Sequence, residues 1–246
     1  MATIMRSLPF AMCSLLFSLL PIYAQADIVL SGTRIIYPEG QSSVTVHLDN
    51  KGQHPLLVQT WLDDGEENKA PEQIQTPFIL TPPITRIDAE HGQTVRILYT
   101  GGKLPEDQEK LYWFNVLEVP PKDKSHASEN KLQLAFRTRI KFIYRPKSLN
   151  GDLESALKQV DWAFKNKGGK TFLSAKNNSP YYLSLDNGAV LIGGQKYTVN
   201  TSMLIPHGEV DFLVTAFSSA DISKHGKITY SAINDFGGET SMEKTF

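Results

Sequence analysis

Reactive chemistry is hard to assemble from these residues. The six histidines, at positions 47, 54, 91, 126, 207 and 225, show no metal-ligand spacing. His47 lies on the polar side of an alternating run, while His207 and His225 adjoin glycines. There is no Gly-x-Ser-x-Gly elbow, no His-Glu-x-x-His pair and no phosphate-binding glycine loop. The acidic run Asp63-Asp64-Gly65-Glu66-Glu67 lacks the alternating ligands of a calcium loop and reads as a solvated turn. No catalytic residue, metal or cofactor is expected, and the chain is not read as an enzyme. One segment has a chemical character of another kind. In residues 130–141, Leu132, Leu134, Phe136 and Ile140 share one face of a strand. Gln133, Ala135, Arg137, Arg139 and Lys141 share the other. By periodicity alone, this is an ordinary strand whose large face fills its own core.

The composition describes what must position such a strand. Of 246 residues, 41% are hydrophobic and 21% charged, so the chain buries a core in one large domain or two of ordinary size. Lys plus Arg number 25 against 26 for Asp plus Glu, a formal net charge of -1. That balance supplies no electrostatic hold on nucleic acid or anionic membrane. A single cysteine excludes a disulfide scaffold, an iron–sulfur site and any multi-cysteine zinc site.

Residues 1–26 read as a cleaved secretory signal peptide. Arg6 precedes an apolar stretch through Leu15-Leu16-Phe17-Ser18-Leu19-Leu20, and Ala24-Gln25-Ala26 supplies the small-x-small cleavage pattern. Cleavage removes Arg6 and Cys13, so the exported protein, expected in the periplasm, has no cysteine and relies on core packing. No later segment is apolar enough to span a bilayer, so no membrane insertion is expected.

Period-two patterns dominate the rest. Val44, Val46 and Leu48 alternate with Ser43, Thr45 and His47. Further β-rich runs lie at 28–37, 56–62, 78–80, 95–99, 111–119 and 132–144, punctuated by Gly and Pro pairs. About seven strands in this length is the immunoglobulin-like number. Pro146 stops strand pairing, placing a boundary between 27–145 and 146–246. Runs at 162–164, 171–173, 181–185, 210–217 and 228–233 predict a second, shorter β-sandwich, with a helical turn at 155–158. The expected class is all-β, two immunoglobulin-like sandwiches.

Residues 104–121, centred on Leu111-Tyr112-Trp113-Phe114-Asn115-Val116, resemble the signature of PapD-like periplasmic pilus chaperones of the chaperone–usher pathway. Lys110 departs slightly from that pattern. Gly32-Thr33-Arg34-Ile35-Ile36-Tyr37 is similar to the family's first strand, and residues 81–87 to its proline turn. Arg139-Ile140-Lys141-Phe142-Ile143-Tyr144-Arg145-Pro146 matches its last strand and hinge. Asn178-Ser179-Pro180-Tyr181-Tyr182 and Ile233-Asn234-Asp235-Phe236-Gly237-Gly238 extend the likeness into the second half.

The resemblance implies a partner, a fimbrial or pilus subunit whose immunoglobulin fold lacks its last strand. It implies that Leu132, Leu134 and Phe136 enter that subunit's groove, with main-chain hydrogen bonds along the strand. It assigns Arg34 and Lys141 to the subunit's C-terminal carboxylate. By the same resemblance, Glu109, Arg145 and Asp235 are expected to form an interdomain ion cluster that sets the boomerang angle. Thr81, Pro82 and Pro83 lie on a surface that could meet the outer-membrane usher. The loop at 121–131 and the lack of a cysteine pair resemble the short-loop group. The free protein could self-associate to cover its strand.

Two other readings compete. An exported adhesin or pilus subunit would carry a disulfide, which the mature chain cannot form. A carbohydrate-binding module could use Trp61, Trp113 or Trp162 as platforms, but core packing explains these rings as well.

Overall fold

A computed structural model describes residues 27–121, 134–214 and 226–245. Residues 1–26, expected as a signal peptide, and residues 122–133, with Leu132 among them, lie outside the described residues. The first nine strands are β1 (Ile28–Leu30), β2 (Arg34–Pro38), β3 (Ser43–Asn50), β4 (Leu56–Asp63), β5 (Phe78–Thr81), β6 (Ile84–Ile87), β7 (Gly92–Tyr99), β8 (Lys110–Val119) and β9 (Phe136–Arg145). They form two facing sheets, in the orders β1-β3-β7-β5 and β2-β9-β8-β4-β6.

The alternation in β3 does what its residues dictate: Val46 and Leu48 are buried and Val44 packs against the core. An aromatic cluster joins the sheets at one end. Phe78 sits 4.9 Å from Phe142 and 5.2 Å from Tyr37, measured between ring centroids. Edge-to-face rings at these distances contribute beyond their burial.

Residues 28–37, expected as one strand, divide between the sheets. β1 pairs antiparallel with β3, and β2 pairs parallel with β9. Parity explains the division: Ile28 is buried on an even position, whereas Ile35 and Tyr37 are buried on odd ones. A continuous strand would turn one of those sets into solvent. The short β6 also escaped the reading, since it exposes Ile84 and Arg86 and buries only Ile87.

The second half builds its own core. β10 (Val160–Lys167), β11 (Lys170–Asn177) and β15 (Glu209–Leu213) form one sheet. β12 (Leu183–Ile192), β13 (Gln195–Asn200), β16 (Gly226–Ile233) and β17 (Glu239–Thr245) form the other, in the order β13-β12-β16-β17, with β14 (Met203–Leu204) on β12. Between the sheets pack Leu157, Leu173, Leu183, Val190, Phe212 and Ile228. β13, β14 and β17 were missed. In β17 no residue is buried, so its hydrophobic pattern is faint. The helical turn is a full α1 (Leu153–Lys158), begun earlier because Asp152 caps it by accepting from the Ser155 amide at 2.8 Å. Both halves are antiparallel immunoglobulin-like sandwiches apart from the parallel β2–β9 pair.

Candidate functional site: an open strand edge ending at two cations

β9 overruns its own sandwich. On its inward face Phe142 is fully buried and Ile140 is partly buried against the core. Further out on the same face, Phe136 is 64% exposed, and Leu134, just before the strand, is 54% exposed. One edge of β9 is covered by β8 along its whole length, from Lys110↔Tyr144 to Glu118↔Phe136. The other edge is covered by β2 only from Arg34↔Lys141 to Pro38↔Arg145. Phe136 to Ile140 therefore have an open edge among the described residues. Such an edge offers unpaired backbone groups beside apolar side chains, the combination that invites strand addition.

Two cations stand where that edge closes. Arg34 opens β2 directly opposite Lys141 of β9. Arg34 Nη1 donates to the Ile233 carbonyl at 2.7 Å, and its Nε is buried without a hydrogen-bond partner. Lys141 Nζ donates to Ser184 Oγ at 2.8 Å. Neither makes an ion pair among the described residues. Burial lowers the Arg34 pKa, against the pull of Asp235 and Glu109. Burial and then the like charge of Arg34 lower that of Lys141. A pocket of about 230 Å³ lies beside Arg34, lined also by Gly32, Ile36, Val44, Val46 and Ile140. The pair presents two partly desolvated donors, neither in an ion pair among the described residues, a chemistry that suits an anion.

The three charged residues expected at the hinge do meet. Arg145 Nε donates to Glu109 Oε1 at 2.6 Å, and Nη1 and Nη2 reach the two Asp235 oxygens at 2.6 and 2.8 Å. The guanidinium lies 5.3 Å from the Tyr181 ring centroid. Glu109 is 1% exposed, and its second oxygen accepts from the Tyr182 amide at 2.7 Å. Burial pushes the Glu109 carboxyl up, and Arg145 and Tyr182 offset only part of that. Burial opposes the Arg145 charge, but Asp235 and Glu109 outweigh it and raise its pKa. Asp235 sits in a turn pressed against the first sandwich. Gly237, at φ 83°, has a backbone few other residues adopt, and a Cβ there would meet Thr33 Oγ1 at 2.8 Å.

The sequence reading missed the outer face of the same sheet. Asp63 is no solvated turn residue. It ends β4 fully buried, held by Arg139 at 2.5 and 3.1 Å and by Asn115 Nδ2 at 2.8 Å. Burial would raise its pKa, but hydrogen bonds from Arg139, Asn115 and the Gly65 amide prevail and lower it. Arg137 lies 4.9 Å over Trp61, and Arg139 lies 4.3 Å over Trp113. Those two rings carry guanidinium groups rather than core contacts, whereas Trp162 packs in the second core, 5.0 Å from Tyr230. The signal was parity: Trp61 and Asp63 share a face of β4, Trp113 and Asn115 one of β8, and Arg137 and Arg139 one of β9. Pairing those faces required the register.

Thr81 and Pro83 are exposed around a cis Thr81–Pro82 bond, and Ile84 beside them is 53% exposed. Among the described residues there is no metal-holding cluster of His, Cys, Asp or Glu, and no helix is long and apolar enough to cross a membrane.

Comparison with known proteins decides the family. Residues 27–150 match the model of the pili and flagellar-assembly chaperone PapD N-terminal domain, and residues 155–244 that of the pili assembly chaperone PapD C-terminal domain. The chain belongs to the PapD family of pilus-assembly chaperones. It is 45% identical over 216 residues to the probable fimbrial chaperone YadV of Escherichia coli K12, covering 87% of each chain. To the chaperone protein FimB/FhaD of Bordetella pertussis it is 40% identical, covering 94% of this chaperone and 92% of the relative. The crystal structure of YadV superposes with a TM-score of 0.77 at 41% identity, covering 90% of this chaperone and 100% of YadV. The SafB chaperone–SafA pilin complex of Salmonella enterica matches with a TM-score of 0.73 at 27% identity, covering 92% and 99%. These relatives are chaperones, not enzymes.

Proposed function

We propose that this pilus chaperone lends the open end of β9 to a pilus subunit lacking a strand, caps it, and passes it to an outer-membrane usher. One observation carries this reading. The inward face of β9 continues past its own core as Phe136 and Leu134, on an edge that ends at two cations without an acid. A strand added parallel to β9 in line with β2 would finish its C-terminus beside Arg34 and Lys141. Its carboxylate would fix the register, which strand pairing alone leaves free to slip by two residues. Leu132 would add a third side chain to the client groove. Burying each contributes about 1.5–3 kcal/mol before association costs, enough to hold a client that must later be released.

Other features support the same reading. The β10 edge carries Lys165 and Lys167, paired with Glu209 and Asp211, and the β17 edge carries Glu239, Glu243 and Lys244. Charges of this kind discourage pairing, and the outer end of β9 lacks them on its client-facing side. Glu109, Arg145 and Asp235 would hold the two sandwiches, divided after Arg145, at the angle a client needs. Exposed Thr81 and Pro83, with half-buried Pro82 between them and Ile84 beside them, supply a surface for the usher. Residues 1–26 would export the protein to the periplasm, and without client the same edge would pair with a second copy. The role is binding, with no catalytic step.

The test is co-expression with a pilus subunit in the periplasm. Wild-type protein should recover the subunit in a one-to-one complex, with the subunit's last residue beside Arg34 and Lys141. A complex in which that residue lies far from both cations would refute the proposal.

A further inference from the structure

The client-facing end of β9 is held along one edge by β8 and on its outer face by side chains. Its inward face is exposed at Leu134 and Phe136 before Ile140 reaches the core, and one edge has no neighbour among the described residues. Strand ends of this kind fray at little cost. Only the outer face is occupied. Arg137 Nε donates to Asn115 Oδ1 at 2.9 Å and Nη1 to the Glu67 carbonyl at 2.6 Å, while its guanidinium covers Trp61. Arg139 grips buried Asp63 through two nitrogens and covers Trp113.

We propose that Arg137 and Arg139, seated on Trp61, Trp113 and Asp63, are positioning residues that keep the donor end of β9 extended before a client arrives. The inference rests on the donor-strand reading above. Because side chains alternate, pinning Arg137 and Arg139 outward turns Phe136, and Leu134 before it, toward the client. A strand ordered in advance spares the client the entropy of ordering it, which acts mainly on capture rather than release. Asp63 has a second effect. It pairs with Arg139 at 2.5 Å and reaches Arg137 at 3.5 Å, and Glu67 lies 3.8 Å from Arg139, so these arginines have acids beside them while Lys141 and Arg34 make no ion pair among the described residues.

The test uses the full mature chaperone and the pilus subunit that co-purifies with it, supplied from denaturant. Arg137→Ala leaves Asp63 with Arg139 and Asn115. It should speed amide exchange at residues 137–140 about tenfold and slow subunit capture about tenfold, with release nearly unchanged. The melting temperature should stay within about 3 °C. Should Arg137→Ala fall outside that window, Trp61→Leu, which removes the ring beneath the guanidinium, replaces it under the same criteria. Unchanged exchange and capture would overturn the proposal, and so would exchange that rises equally in β3 and β7. Arg34→Ala and Leu134→Glu run in parallel. If both still capture the subunit, the donor-strand reading itself fails. If both lose it while Arg137→Ala behaves as wild type, only the positioning role fails.

Discussion

Arg34 stands opposite Lys141 in the parallel β2–β9 pair, while the two acids whose charge reaches Arg34, Asp235 and Glu109, are both bound to Arg145. The protein thus satisfies one cation with two carboxylates and leaves two neighbouring cations with none. That distribution costs stability in the free state, because like charges are held together and partly desolvated. It is intelligible as preparation for an external carboxylate.

Removing either cation should therefore weaken the client complex without weakening the fold. A hydrogen bond to a charged group contributes about 1.5–3 kcal/mol, so Arg34→Ala or Lys141→Ala should lower subunit affinity about 10- to 100-fold. Lys141→Met should melt at or above the wild-type temperature, since it removes a like charge beside Arg34. Calorimetry of the free protein, with titration of the subunit, checks both.

The Lys141 pKa carries a definite sign. Its folded value lies below the ordinary lysine value of 10.5, so the unfolded chain holds that proton more tightly. The free protein should gain stability from this group as pH rises through the lowered value toward the unfolded one. A bound carboxylate favours the charged form, so client affinity should fall over the same alkaline range and binding should take up protons there. Titration in buffers of different ionisation enthalpy measures the uptake, and Lys141→Met should abolish it.

Two positions on one strand face should separate binding from folding. Leu134→Glu changes an exposed side chain, with an expected stability change of about 0.5 kcal/mol or less, and should block subunit capture. Phe142→Ala opens a cavity in the aromatic cluster and should cost about 3–5 kcal/mol. Chemical denaturation and pull-down on the same preparations distinguish them. Unfolding by Leu134→Glu would mean that the strand end is ordinary core.

At the hinge, Arg145→Ala would strand Glu109 in a buried site without its counterion. Breaking a fully buried pair costs about 3–5 kcal/mol, and the 22% exposure of the Arg145 side chain places this one at the lower end. Glu109→Gln, which removes the buried charge as well, should cost less. Small-angle scattering should show a wider range of interdomain orientations for Arg145→Ala, and thermal melts should rank the variants.

Several assignments were legible from residue order because they depend on local chemistry. The alternation in β3 and the stop at Pro146 fall in this class, whereas the grouping of Glu109, Arg145 and Asp235 came only from motif likeness. The reading failed where local pattern was weak or ambiguous. β17 buries nothing, and 28–37 looks continuous until its buried positions change parity. Asp63 follows a β-rich run and precedes Asp64-Gly65, so in one dimension it resembles a turn.

By itself the sequence determined many of the strands, the stop at Pro146 and the apolar and cationic faces of β9, since each follows from side-chain period, proline geometry or charge. Only the tertiary structure decided which of those faces is satisfied. Burial and pairing come from residues far away in the chain: β2 stops covering β9 at Arg34, Asp63 neutralises Arg139, and Asp235 neutralises Arg145. What is left over after those pairings is the open edge and its two cations, and a remainder of that kind exists only once the whole fold has formed.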